Sequence, residues 1–329
     1  MNEETTIVPQ QPAAPPEHPA VRQANLTSDY VVLAIGVLAS LAVVGLVFLT
    51  SIASFIYGTE VVAEETGASP VEDFFGNLFG IAIVVGVALA FILTLIRMMR
   101  QQMLGNALQV EYSDYAWLRE WSNQVAKDLH MPRVEIMVTQ DPVINAYAFG
   151  FATPYTIVLH SGSIRWLTHE QLKAVVVHEM AHVKYRHTQI GTYLNLLRMI
   201  PVIGTLNGWL LDFWGRRAEL TADRLALCYL RDGKLVKESL IGVHVGPDVA
   251  TSFNDIAQQW QVYMTDNYFN RFTQTFSSHP FLVRRLRHID AKTEEFTPIW
   301  PPKTTIVRKK PITKKETAAS DAATEETTR

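Results

Sequence analysis

The sequence predicts a mainly helical chain with a small β-sheet, attached to a membrane by two helices that cross it. Three observations carry this expectation. Two long uncharged apolar stretches stand near the beginning, Tyr30 to Thr59 and Phe74 to Ile96. Helical repetition of apolar residues leads into His178-Glu179-Met180-Ala181-His182, with a second helix-like segment carrying Glu219 and Asp223. Between them lie only short runs with the alternation of strands, at Val134 to Val138 and Thr156 to His160.

The first 29 residues carry Pro9, Pro12, Pro15, Pro16 and Pro19 among polar neighbours, a composition unable to form a core, and are expected to be a disordered tail. Residues 30–100 form the expected two-helix transmembrane anchor. At about 1.5 Å per residue each apolar stretch is long enough for a hydrocarbon layer of about 30 Å. The first stretch is too long and too weakly preceded by positive charge to read as a cleaved signal sequence. The linker between them carries Glu60, Glu64, Glu65, Glu72 and Asp73 without lysine or arginine, whereas Arg97 and Arg100 follow the second stretch. The positive flank stays in the cytoplasm, so the expectation is a multi-pass protein of the cell (inner) membrane with both termini and the following domain cytoplasmic.

Residues 101–300 have the length of one compact domain. Tyr115 to Leu129 reads as an amphipathic helix ended by Pro132, followed by the first strand. Asn145, Ala146, Tyr147 and the small residues up to Gly150 read either as a loop at the core edge or as a substrate-lining segment. The second strand, with Ile157 and Val158, is the candidate for an exposed edge that pairs with an extended substrate backbone.

Ile190 to Phe213 is apolar but interrupted by Arg198, Pro201 and Asp212. If His182 and Glu219 serve one site they lie on the same side of the membrane, and the chain between them is too short for two spans of about 20 residues and a turn. A compact hairpin turning near Pro201 or Gly204 is expected, either packed on the catalytic core or dipped into the interface with Trp209 and Trp214 at headgroup depth. Val249 to Ser278 is rich in aromatic and amide residues and reads as a cleft-covering helix or as core. Residues 301–329 form a basic, then polar, disordered tail that either touches anionic lipid or is simply solvated.

The chemistry sits on the helices. His178 and His182 are one turn apart on one face, and Glu179 is angled toward the same pocket. Two imidazoles at that spacing are ligands for zinc, and a neighbouring carboxylate that does not bind the metal is a general base toward water. A third protein ligand is required, and Glu219 is the best candidate, with Asp223 one turn on accepting the distal N–H of a ligating histidine and fixing its tautomer. His187 is a weaker competitor, pointing away from the site unless the helix ends before it. One Zn²⁺ per chain is expected. His279-Pro280 reads as an oxyanion-stabilising histidine or a capping turn, and Arg285 as its support or that of a catalytic carboxylate. The net charge of −3 and the lack of a basic aromatic platform argue against nucleic acid. Cys228 is the single cysteine, so disulfides within the chain are excluded, and its apolar setting suggests a buried thiol.

Together, Asn145-Ala146-Tyr147-Ala148, Glu170-Gln171-Leu172 leading into the His178 to His182 motif, His187, Glu219 with Ala222-Asp223, and His279-Pro280 with Arg285 resemble the HtpX-like family of membrane zinc metallopeptidases, which also includes the CAAX prenyl proteases. The resemblance runs from about Asn145 to about Arg287. It implies a gluzincin-type, mainly helical fold with a small sheet, one catalytic zinc held by His178, His182 and Glu219, and Glu179 as base. It also implies a catalytic role for His279 with Arg285 in support, and substrate contact by Asn145 and the strand after it. The implied substrates are membrane or membrane-associated proteins, often in quality control, with the lipid bilayer as a further partner and the oligomeric state open. HtpX itself has two spans between the metal helix and the glutamate helix, where this chain has room for a hairpin. Competing readings are a non-proteolytic membrane scaffold keeping a structural zinc, and a protease specific for prenylated C-terminal peptides.

Overall fold

Four short strands form one sheet that lies beside the helix carrying the paired histidines. The computed structural model describes residues 17–66, 70–150, 153–198, 201–250, 252–253, 255–274, 277 and 279–296. Its helices are α1 (Pro19–Ala24), α2 (Thr27–Thr66), α3 (Pro70–Gly105), α4 (Ala116–Asp128), α5 (Ser161–Trp166), α6 (His169–Lys184), α7 (His187–Arg198), α8 (Pro201–Leu230), α9 (Gly233–Val245), α10 (Pro247–Ala250), α11 (Asp255–Thr265), α12 (Tyr268–Thr273) and α13 (Leu282–Phe296). The strands are β1 (Ala107–Gln109), β2 (Val134–Thr139), β3 (Ala146–Phe149) and β4 (Tyr155–His160), in sheet order β1-β2-β4-β3. The 301–329 tail and the leader up to residue 16 lie outside the described residues.

In the sheet, β2 runs parallel to β4 with Ile136 opposite Ile157, and β3 runs antiparallel to β4 with Ala148 opposite Ile157. Strand β4 is therefore internal, and its unbroken apolar run is what a strand covered on both faces requires. This corrects the reading of Ile157 and Val158 as a substrate-pairing edge: both side chains are fully buried and both backbone edges of β4 are taken. One of the sheet's two edges is β3, the short segment whose small residues the sequence left ambiguous; it lies against α6, and the other edge is β1.

Helix α6 is started by a capping box in which the Thr168 hydroxyl accepts from the Gln171 N–H and the Gln171 side chain accepts from the Thr168 N–H. Leu172, Val176 and Met180 then repeat at intervals of one turn, and all three are buried. With that row held in the core, His178, Glu179 and His182 line a cleft on α6's side toward α8. The helix stops at Lys184 because Arg186 takes a left-handed conformation (φ 59°), reversing the chain without a glycine. Helix α7 begins on the next residue, His187.

Part of the stretch read as a disordered leader is ordered. His18 caps α1, whose Ala20, Val21 and Ala24 are buried, and α1 packs on α8. The Tyr185 hydroxyl donates to the Val21 carbonyl at 3.1 Å and Arg224 Nε to the Ala24 carbonyl at 2.9 Å. The prolines that exclude a core do not exclude docking on one.

One described helical segment, Thr27–Gly58, is long and apolar enough to cross a membrane, with mean hydropathy 2.9. It is rooted in the domain by Asp29, whose carboxylate accepts from Arg217 Nε at 2.7 Å, Arg224 Nη2 at 2.8 Å and the Thr221 hydroxyl at 2.6 Å. The second apolar stretch lies in α3, where Phe79, Val87, Phe91 and Leu93 are exposed. The expected hairpin is α7 and α8, with Pro201 as the first residue of α8, where its missing N–H costs nothing. Leu194, Leu211, Trp214 and Ala218 pack together with Val32, Leu33 and Val37 of α2. The described part of the hairpin thus lies against α2, with Trp214 buried there; the side chain of Trp209 lies outside the described residues.

Candidate metal centre

Helices α6 and α8 bring His178, His182 and Glu219 together. His178 Nε2 and His182 Nε2 are 3.3 Å apart, Glu219 Oε2 is 3.4 Å from His178 Nε2, and Glu219 Oε1 is 3.7 Å from His182 Nε2. Ligand atoms about 2.0–2.2 Å from one ion at tetrahedral angles stand about 3.3–3.5 Å apart, so this donor set fits a tetrahedral zinc with one position left over. Among the described residues it is the cluster of three ligating side chains close enough to share an ion.

The distal nitrogens are engaged too. Asp223, one turn after Glu219, lies with Oδ1 3.0 Å from His178 Nδ1, which leaves Nε2 of that ring facing the cluster. Arg285 grips Asp223 with both prongs, Nε to Oδ2 at 2.8 Å and Nη2 to Oδ1 at 2.7 Å, and its Nη1 is 3.5 Å from Glu219 Oε2. Its fork is spent on Asp223 from a buried position, the geometry of a side chain that supports a carboxylate.

His187 is brought back by the turn at Arg186, and its Nδ1 is 3.1 Å from His182 Nδ1. One of those nitrogens must carry the hydrogen. With His182 Nε2 turned to the cluster, His182 Nδ1–H donates and His187 Nδ1 accepts, so His187 stands behind a ligand and is not one itself. Burial holds the pKa of His187 well below the usual imidazole value, which suits an acceptor. The sequence held no sign of this, because neither Gly nor Pro marks the break at residues 185–186.

The ionisation states follow from burial against pairing. Burial opposes charge on His178, but hydrogen bonds to Asp223 and Glu219 outweigh it and hold the ring's pKa up at about 10, so a metal ion at Nε2 would have to displace that proton. Burial lowers His182 to about 4. Burial would raise Asp223 and Glu219, yet Arg285 and His178 on the first, and His178 and His279 on the second, hold both below the usual carboxylate range. Glu179 alone among these carboxylates is pushed up, to about 7, chiefly by burial. The backbone N–H of Ala148 on β3 donates to it and tempers that rise.

The cluster lies in a cleft of about 650 Å³ whose opposite lip is β3, with Asn145, Ala146, Tyr147 and Ala148 along it. The Asn145 side chain accepts from the Ala146 N–H, and the Asn145 backbone is tied to Ser163, so the lip is fixed at its start. Tyr147 is partly exposed and stands edge-on to the His160 ring. His279 lies across the cleft, largely exposed, with Nδ1 3.5 Å from Glu219 Oε1, and its hydrogen bond to Glu219 raises its pKa.

Replacing Asp223 with asparagine removes the charge that fixes His178 and leaves Arg285 unbalanced. The expected result is a 10–100-fold loss of metal affinity with the fold retained, read by competition with a chromogenic chelator.

Residues 113–293, which include every member of the cluster, match the model of Peptidase family M48. The chain is 33% identical over 207 residues to the plastoglobule-localized metallopeptidase 48 of the Arabidopsis thaliana chloroplast, covering 57% of this chain and 60% of that protein. It is 28% identical over 111 residues to a protease HtpX homolog of Aquifex aeolicus, covering 33% of this chain and 37% of the relative. Among solved structures it is similar to S. mikatae Ste24p, at 15% identity and a TM-score of 0.35, covering 80% of this chain and 67% of that one. The match thus spans 60% or less of the length of these two sequence relatives.

Proposed function

The chain belongs to peptidase family M48, and from that premise we propose that it is a membrane-anchored, zinc-dependent endopeptidase acting on membrane or membrane-associated proteins. The observation that carries the reading is the triangle of His178, His182 and Glu219 with Glu179 beside it in the cleft. A closed structural zinc has four protein ligands, and this site offers three and a cleft.

What a zinc ion supplies at such a site is Lewis acidity toward the scissile carbonyl and a water acidic enough to lose a proton near neutral pH. His178, His182 and Glu219 would hold it, with Asp223 and His187 keeping the two rings in the required tautomers. An extended substrate pairs with the free edge of β3 as an added antiparallel strand, which lays its carbonyls along the cleft. Glu179, raised toward 7, takes the proton of the attacking water and returns it to the departing amine. His279, at the open side, donates to the developing negative charge. Its hydrogen bond to Glu219 raises its pKa and favours the cationic, donating form.

Two spans, α2 and α3, hold this cleft on the cytoplasmic side of the inner membrane, in agreement with the acidic linker and with Arg97 and Arg100 after the second stretch. Quality control of membrane proteins is the role that fits an internal cleavage activity so placed. The test is cleavage of a destabilised membrane protein by the full chain in proteoliposomes. Activity is expected to vanish on chelation and return with zinc at one equivalent per chain, with new N-termini inside the substrate. Cleavage indifferent to chelation contradicts the proposal.

A further inference from the structure

A second cavity, of about 810 Å³, lies away from the metal cluster, between the root of α2 and helices α11, α12 and α13. Its walls carry Arg217, Arg224, Arg284 and Arg287 against Asp29 and Asp266, a surplus of two positive charges. The aspartates are already committed, Asp29 to Arg217 and Arg224, and Asp266 to Arg287 at 3.0 Å. Gln274 is 4% exposed and lines the same cavity; its Oε1 accepts from Arg284, while its Nε2 is a buried donor with no partner. A buried N–H left without an acceptor is costly, and here it stands among excess guanidinium groups. Both features call for an anion with several acceptor oxygens.

The position of the cavity indicates where that anion comes from. Asp29 in its wall belongs to the first turn of the Thr27–Gly58 segment, Leu26 stands just before that segment, and exposed apolar side chains begin at Tyr30 and Val31, within one turn of Asp29. The outer wall belongs to α11 and α12. On α11, Ile256, Trp260 and Tyr263 fall on one helical face and are 74%, 63% and 73% exposed; Tyr268 and Phe269 extend the patch on α12 at 84% and 73%. An aromatic face of that size has no reason to meet water, and aromatic side chains with polar tips are suited to the headgroup boundary of a bilayer.

We propose that this cavity binds the phosphate of an anionic phospholipid headgroup, with the aromatic face of α11 and α12 lying in the boundary layer beside the root of α2. The inference rests on the membrane-anchored part of the proposed function and not on its peptidase chemistry. It makes the catalytic domain a body seated on the bilayer, held by a lipid as well as by its spans. His288 reports on the site, because burial and the adjacent Arg224 hold its pKa down at about 4, and a phosphate beside it would raise that value.

The test uses the full chain in neutral detergent, titrated with short-chain phosphatidylglycerol, with phosphatidylcholine of the same chain length, and with inorganic phosphate. Binding is read by native mass spectrometry and by the imidazole resonances of His288. Phosphatidylglycerol is expected to bind at least about 10-fold more tightly than phosphatidylcholine, and the double variant Arg284→Gln, Arg287→Gln to lose about 10- to 30-fold of that affinity. Both arginines are exposed, so the fold survives the change. Trp260→Ser with Tyr263→Ser is expected to weaken lipid binding and leave inorganic phosphate unaffected. Equal affinity for the two lipids, or a double variant that binds phosphatidylglycerol as well as wild type, overturns the site. Inorganic phosphate binding as tightly as phosphatidylglycerol overturns the lipid source. None of these readings requires peptide cleavage, so a failure here is separate from a failure of the peptidase assay.

Discussion

Glu179→Gln is expected to lower peptide cleavage by about 100- to 10,000-fold while leaving the metal in place. The amide has nearly the shape of the carboxylate and keeps the contact with the Ala148 N–H through its oxygen, so packing around the buried side chain is conserved. What it loses is the ability to accept a proton. Glu179 is also outside the triangle of ligating atoms, so metal content should match wild type. The check is a paired measurement of turnover and of metal per chain on the same preparation. Loss of both together would mean that Glu179 supports the site structurally, and retention of turnover would remove it as the base.

The second large effect is on the fold. Asp29→Ala should destabilise the catalytic domain by about 3–5 kcal/mol, because it leaves Arg224 charged and buried without its carboxylate. Arg224 is 2% exposed and Asp29 8%, so water cannot replace the lost partner cheaply. Arg217 and the Thr221 hydroxyl lose the same acceptor. Three of the four residues in this network lie on α8, within two turns of Glu219, so the root of α2 and Glu219 share one support. Denaturant unfolding of the full chain in detergent measures the effect. Stability within about 1 kcal/mol of wild type would mean that α2 is not fastened to α8 through Asp29.

The helix of the paired histidines was legible because its signals are local: a helical repetition of apolar residues leading into two histidines one turn apart. Glu219 and Asp223 were found by the same logic, since both lie on one face of a helix. What the sequence did not disclose depends on contacts between distant segments. Strand β4 looked like an edge because its apolar run is short, and only the pairing of β2 and β3 on its two sides makes it internal. The position of His187 turns on a left-handed Arg186, a conformation that no residue type there announces. Asp29 looked like the end of a disordered leader because its partners are nearly two hundred residues away. By composition alone the aromatic stretch after Val249 could be a cleft-covering helix or core; Ile256, Trp260 and Tyr263 are instead exposed, and none of them lines the metal cleft.

The most direct test of the metal centre is metal per chain in purified full-length wild type, Glu219→Ala and Glu179→Gln, with folding verified by circular dichroism. Convergence of α6 and α8 on one ion predicts one zinc in wild type and in Glu179→Gln, and none in Glu219→Ala. A folded Glu219→Ala protein that keeps a full equivalent of zinc would contradict it, because the third ligand would then lie elsewhere.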